Sequence, residues 1–140
     1  EPWDSYRNYL VAKEHCNLQE IEEGNTGTFT NFAQNDQALC ALHYYLMYLK
    51  FGFGRVTDYL NFEIRNGNLS RKQAIKYANK YDGKCHEKFI ESFCKYIGIS
   101  RSRFNKSIKK IVNKKLFKIK TSGKTFKIKK KFTVGKGLQQ

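Results

Sequence analysis

This chain of 140 residues has no run of 18 or more apolar residues, so no segment of it reads as a membrane span. It has no C-x-x-C pair. Cys16, Cys40, Cys85 and Cys94 are scattered, and the adjacent pairs His15-Cys16 and Cys85-His86 lack metal-ligand spacing. A disulfide framework and a zinc site are therefore not expected; buried free thiols in a reducing compartment are. Glu1-Pro2-Trp3-Asp4 carries neither the basic nor the apolar stretch of a signal peptide. It also lacks an initiator Met, and the chain is expected to be a piece of a longer, cytoplasmic protein. From residue 101 onward there is no acidic residue at all, against 15 Lys and Arg.

That last absence shapes the charge of the whole chain. Residues 1–70 hold 5 basic and 9 acidic residues, and residues 71–140 hold 22 and 3. The formal net charge of +15 thus sits entirely in the last 40 residues, while residues 1–100 are neutral. The pattern reads as a basic tail on a neutral domain. With 40% hydrophobic residues, the length suits one domain with a real core.

What is present is mostly helical periodicity. Leu39, Leu42, Leu46, Leu49 and Phe53 recur at spacings of 3 and 4, which places them on one face of a helix over 31–52. Asn35 or Asp36 can cap it, and Gly52 or Gly54 can stop it. Thr57 or Asp58 then opens a helix to about Asn66, with Val56, Leu60 and Ile64 on its inner face. Ser70-Arg71-Lys72-Gln73 predicts a capping box and a helix to about Tyr81. Two more follow, over about 86–97 and from Ser100 onward, the latter with an Ile99–Phe104 staple. A short helix within residues 2–17 is the further expectation, with a loop over 19–30. In that loop Gly24-Asn25-Thr26-Gly27-Thr28 resembles an anion-binding turn but lacks a phosphate-loop lysine. A plain surface loop is the alternative.

After residue 115 the period changes. Phe117-Lys118-Ile119-Lys120 alternates, and Phe126-Lys127-Ile128-Lys129 repeats it letter for letter around a polar turn. This predicts a β-hairpin with Phe and Ile on one face, which must dock on the helices to be stable. The expected fold is mainly α: about five helices over 1–115, then a Lys-rich β-hairpin tail over 116–140.

The wording of two segments carries a resemblance. Residues 29–58 (FTNFAQNDQALCALHYYLMYLKFGFGRVTD) and 63–84 (EIRNGNLSRKQAIKYANKYDGK) resemble the C-terminal part of the N-acetyl sugar amidotransferases, members of the PP-loop ATP pyrophosphatase superfamily that serve lipopolysaccharide and surface-glycan synthesis. Pro2-Trp3-Asp4 fits the approach to this region. The resemblance covers roughly residues 1–105 and leaves the hairpin outside it. It implies that ATP, with Mg²⁺, adenylates a sugar N-acetyl oxygen and that ammonia displaces AMP, leaving an acetamidino group. The implied partners are a nucleotide-activated N-acetyl sugar and glutaminase and cyclase-like subunits supplying ammonia. The superfamily's S-G-G-x-D-S loop occurs nowhere in the 140 residues. The chain is thus expected to lack the α/β nucleotide-binding domain and to be inactive alone.

Within Lys50-Phe51-Gly52-Phe53-Gly54-Arg55, Lys50 and Arg55 are the first choices for catalysis, as cations for the charge building on pyrophosphate. The glycines would let the backbone approach a ligand. The alternative is a cation favoured by the helix dipole and glycines that only stop the helix. Arg65 and Arg71 can hold a sugar nucleotide diphosphate, or be solvated helix ends. Asp36 and Asp58 can orient Mg²⁺ or an arginine, or cap helices. His43 is a general base in search of a partner, or a half-buried histidine. Tyr44, Tyr45, Tyr48, Phe51 and Phe53 can stack on a base or sugar, or pack. The rival to an enzyme fragment is a basic module for nucleic acid or an anionic membrane surface. Lys so outnumbers Arg in the tail that specific base reading is not expected.

Overall fold

The computed structural model describes residues 3–21, 27–33, 39–122 and 125–138, except for the side chains of 125, 137 and 138. Among them are six helices, a β-hairpin and a pair of very short strands: α1 (Ser5–Cys16), α2 (Cys40–Phe51), α3 (Arg55–Arg65), α4 (Arg71–Tyr81), α5 (Glu87–Tyr96), α6 (Arg101–Ile111), β1 (Phe117–Ser122), β2 (Thr125–Lys130), β3 (Phe132–Thr133) and β4 (Gly137–Leu138). The fold is mainly α, and no parallel sheet occurs among the described residues.

Local chemistry explains most of these boundaries. Asp4 Oδ1 accepts the N–H groups of Tyr6 and Arg7, both at 3.0 Å, and so opens α1. The Ser70–Gln73 capping box forms as expected: Ser70 Oγ accepts the Gln73 N–H at 3.3 Å, and Gln73 Oε1 accepts the Ser70 N–H at 2.9 Å. His86 Nδ1 takes the Lys88 N–H at the start of α5, and Ser100 Oγ takes the Arg103 N–H at the start of α6.

Three expectations are corrected. The central helix starts at Cys40 and not at residue 31, because 31 and 32 form bends and 33 a turn. The caps foreseen at Asn35 and Asp36 lie outside the described residues, as do 24–26 of the loop. The apolar stripe is buried only in its middle: Leu42 and Leu49 are buried, but Leu39 and Phe53 are exposed. Finally, Cys16 is exposed while Cys94 is buried, and all four thiols are free.

The main core joins α2, α5, α6 and the hairpin through Leu42, Leu49, Ile90, Cys94, Phe104, Ile108, Val112 and Phe117. A second cluster seals α3 on α4 with Val56, Leu60, Ala74 and Ala78. The hairpin docks on the core: Phe117 is 2% exposed, and Ile119, Phe126 and Ile128 lie half-buried against it. Burying one such aromatic is worth about 2 kcal/mol, which accounts for a two-stranded sheet persisting in water. Ile119 faces Ile128 across the ladder, and the strands run up to two residues further into the turn than the repeat alone suggests. No helix among the described residues is long and apolar enough to cross a membrane.

Candidate functional site

The turn between α2 and α3 is held from both sides by distant residues. At the end of α2, the free carbonyls are taken by Asn113: its N–H bonds Leu49 O at 3.0 Å and its Nδ2 bonds Lys50 O at 3.2 Å. At the start of α3, Gly54 has no side chain to cap the helix. Asp82 does so from the end of α4, its Oδ2 accepting the Gly54 N–H at 2.9 Å and the Thr57 hydroxyl at 2.7 Å. A Cβ on Gly54 would lie 2.3 Å from Asp82 Oδ1. What approaches this backbone is thus the protein's own carboxylate. Burial pushes the Asp82 carboxyl above its ordinary range, partly offset by the bonds from Thr57 and Gly54.

The next residue, Gly83, has φ +72°, and a Cβ there would fall 2.3 Å from the Tyr48 ring. Only glycine meets both conditions. Lys84 then enters an open groove of about 640 Å³ between the start of α5, α6 and the hairpin. Its floor is apolar, with Ile90, Phe104, Ile108, Phe126 and Ile128. Its rim holds Tyr45, Lys84, Cys85, His86, Glu87, Arg101 and Asn105, a carboxylate among the cations. Arg101 is set by the Asn105 amide oxygen (3.2 Å from Nε) and an ion pair with Glu87, and its guanidinium lies 5.4 Å from the Phe104 ring centre. Burial raises the Cys85 thiol to about 11, so it is protonated at neutral pH and is no nucleophile. Its neighbour His86 is spent on capping α5. No group of acidic, His and Cys residues among those described is arranged to hold a metal. The groove suits a ligand with an anionic group and an apolar or ring face.

The residues expected to carry chemistry are distributed over the molecule. His43 and Lys50 border one shallow hollow with Met47 and Ile111 on α2 and α6. Lys50 is exposed, 5.3 Å from the Phe51 ring centre. Arg55 lies 4.5 Å from the Tyr59 ring centre and 3.9 Å from Asp58, and its buried Nε has no acceptor among the described residues. Arg65 donates to Asn61 O in its own helix and lies over Phe62. Arg71 bonds Gly135 O at 3.2 Å, tying α4 to the β3–β4 turn. Asp36 is outside the described residues. Of the aromatic run, Tyr45 borders the groove, whereas Tyr48 packs on Phe117.

Sequence reasoning passed over Asp82, Lys84 and Arg101. Lys84 closes the second resembling segment, which was the one available signal for it. Asp82 read as a helix end and Arg101 as one more tail cation.

No curated protein matches the chain. The family described as LPS biosynthesis protein WbpG-like, C-terminal domain, matches residues 26–133. The match runs through both resembling segments and on through the hairpin, which corrects the expectation that the hairpin lies outside the family's pattern. Residues 1–25, which hold α1, precede it. With most of its length matched and a helical domain closed by a docked hairpin, the chain belongs to the family of C-terminal domains of WbpG-like LPS biosynthesis proteins.

Proposed function

We propose that this chain is the C-terminal part of an ATP-dependent amidotransferase of lipopolysaccharide or surface-glycan synthesis. In the reaction, the oxygen of a sugar N-acetyl group attacks the α-phosphorus of ATP and pyrophosphate leaves. Ammonia then adds to the activated carbon and AMP departs with the original oxygen, leaving an acetamidino group. ATP and Mg²⁺ would be held mainly by a nucleotide-binding domain carrying the phosphate loop. The observation that carries the reading is the family match over residues 26–133.

On this reading the groove takes the nucleotide-activated N-acetyl sugar. Lys84 and Arg101 face its diphosphate, and Tyr45 offers a ring to the sugar or base. Lys50 and Arg55 are assigned to the leaving pyrophosphate; their support is that both flank a turn whose backbone is locked by Asn113 and Asp82. Glutaminase and cyclase-like subunits would deliver the ammonia.

The test supplies the protein carrying this domain with MgATP, an ammonium salt and a nucleotide-activated N-acetyl sugar. Equal amounts of AMP, pyrophosphate and a sugar with one oxygen replaced by NH are expected. ATP consumed to ADP, or a sugar left unchanged, would count against the reading.

A further inference from the structure

The hairpin has two faces with opposite fates. Phe117, Ile119, Phe126 and Ile128 turn inward and are at least half-buried. On the outer face Lys118 stands directly opposite Lys129, and Lys120 directly opposite Lys127. All four are exposed. Like charges placed opposite one another repel across about 5 Å and weaken the ladder. The two pairs follow one another at about 7 Å along the strands.

Neighbouring lysines are engaged within the fold. Lys130 Nζ bonds Asn79 Oδ1 at 2.6 Å, Lys131 Nζ bonds Lys114 O at 2.8 Å, and Lys109 lies 4.9 Å from the Phe126 ring centre. The side chains of the four face lysines have no hydrogen bond or ion pair among the described residues. No acidic residue follows Glu91 in the sequence to offer one. A shallow hollow of about 420 Å³ lies among Lys120, Lys127, Lys129, Ser122 and Phe126. The array belongs to the family domain, since the match extends to residue 133.

We propose that this face docks the protein on an anionic lipid surface. Four ammonium groups on one face of the hairpin reach a layer of headgroup phosphates together, and clusters of this size are what anionic bilayers attract. Lipid phosphates bridging the opposed lysines also remove the repulsion that the hairpin carries when free. Nucleic acid fits the face less well. The described outer side chains are Lys and Ser, with no guanidinium or amide fork to read a base, and Phe126, the ring that reaches the hollow, is half-buried against the core. The proposal is independent of the amidotransferase reading.

The test is co-sedimentation of the 140-residue chain with vesicles of phosphatidylcholine alone and of equimolar phosphatidylcholine and phosphatidylglycerol. Binding to the second but not the first is expected, and it should weaken as salt rises. At about fivefold per lysine, the variant K118Q/K120Q/K127Q/K129Q should partition at least about a hundredfold less. A control of equal charge, K72Q/K76Q/K95Q/K106Q, should lose clearly less, and circular dichroism should show both variants folded. The proposal is overturned if the wild type ignores phosphatidylglycerol, if both variants lose binding equally, or if a DNA duplex strips the chain from vesicles by binding it more tightly.

Discussion

Two short stretches meet at Asp82-Gly83-Lys84 and use the same residue types to opposite ends. On one side, the Gly52–Arg55 turn is braced: Asn113 holds the Leu49 and Lys50 carbonyls before it, and Asp82 holds the Gly54 amide within it and the Thr57 hydroxyl after it. On the other, Lys84 and Arg101 border an open groove over an apolar floor. Glycine beside a cation is thus not by itself a phosphate site. The bonded backbone donors of the turn have little left to offer a ligand, whereas Lys84 at the groove is exposed and Arg101 beside it is held in place by Glu87 and Asn105. The turn is a clamp that fixes where the groove begins.

The sharpest way to break this contrast is Gly83→Ala. A methyl group would have to enter the Tyr48 ring at 2.3 Å with φ held at +72°. A loss of about 3 kcal/mol or more in urea unfolding is expected. Asp82→Ala comes next. It removes a distant helix cap and leaves the Gly54 N–H and Thr57 hydroxyl without an acceptor, for a loss of about 2 kcal/mol by the same measurement.

The groove should answer differently. Lys84→Gln with Arg101→Gln should change stability by less than about 1 kcal/mol, because both side chains reach solvent. In isothermal titration it should cost about tenfold or more in affinity for a nucleoside diphosphate N-acetyl sugar.

The smallest effect is on pH dependence. A carboxyl raised by burial, as at Asp82, binds its proton more tightly folded than unfolded. Its contribution is therefore fullest below the unfolded value of 3.8 and fades as pH rises through the folded one. Glu20 has the opposite sign. Hydrogen bonds from Lys13, Tyr9 and Asn31 hold it down at about 2, so its contribution is present above 4.5 and is lost as pH falls toward 2. Thermal melts of Asp82→Asn and Glu20→Gln against the parent chain, from acid to neutral pH, should separate the two slopes.

These outcomes also mark what was legible in the sequence. Caps written in adjacent residues could be read, as at Ser70-Gln73 and Ser100, and so could the Phe-Lys-Ile-Lys repeat that becomes the hairpin. Local spacing fixes such elements. The start of α2 could not be read, because an apolar period says nothing of where a chain stops bending. The clamp was hidden for a different reason. Asp82 lies 28 residues from Gly54, and Asn113 lies 63 from Lys50, so neither pairing leaves a local pattern. The groove likewise draws its rim from α2, α5 and α6. Its residues become a site only when the helices assemble.

The contrast is tested most directly by titrating one nucleoside diphosphate N-acetyl sugar into two charge-matched variants of the chain, K84Q/R101Q and K50Q/R55Q, beside the parent. The account predicts that the groove variant loses most of its affinity while the turn variant binds the sugar as the parent does, its role being reserved for ATP-dependent turnover. Loss of sugar binding in the turn variant, with the groove variant unchanged, would contradict it.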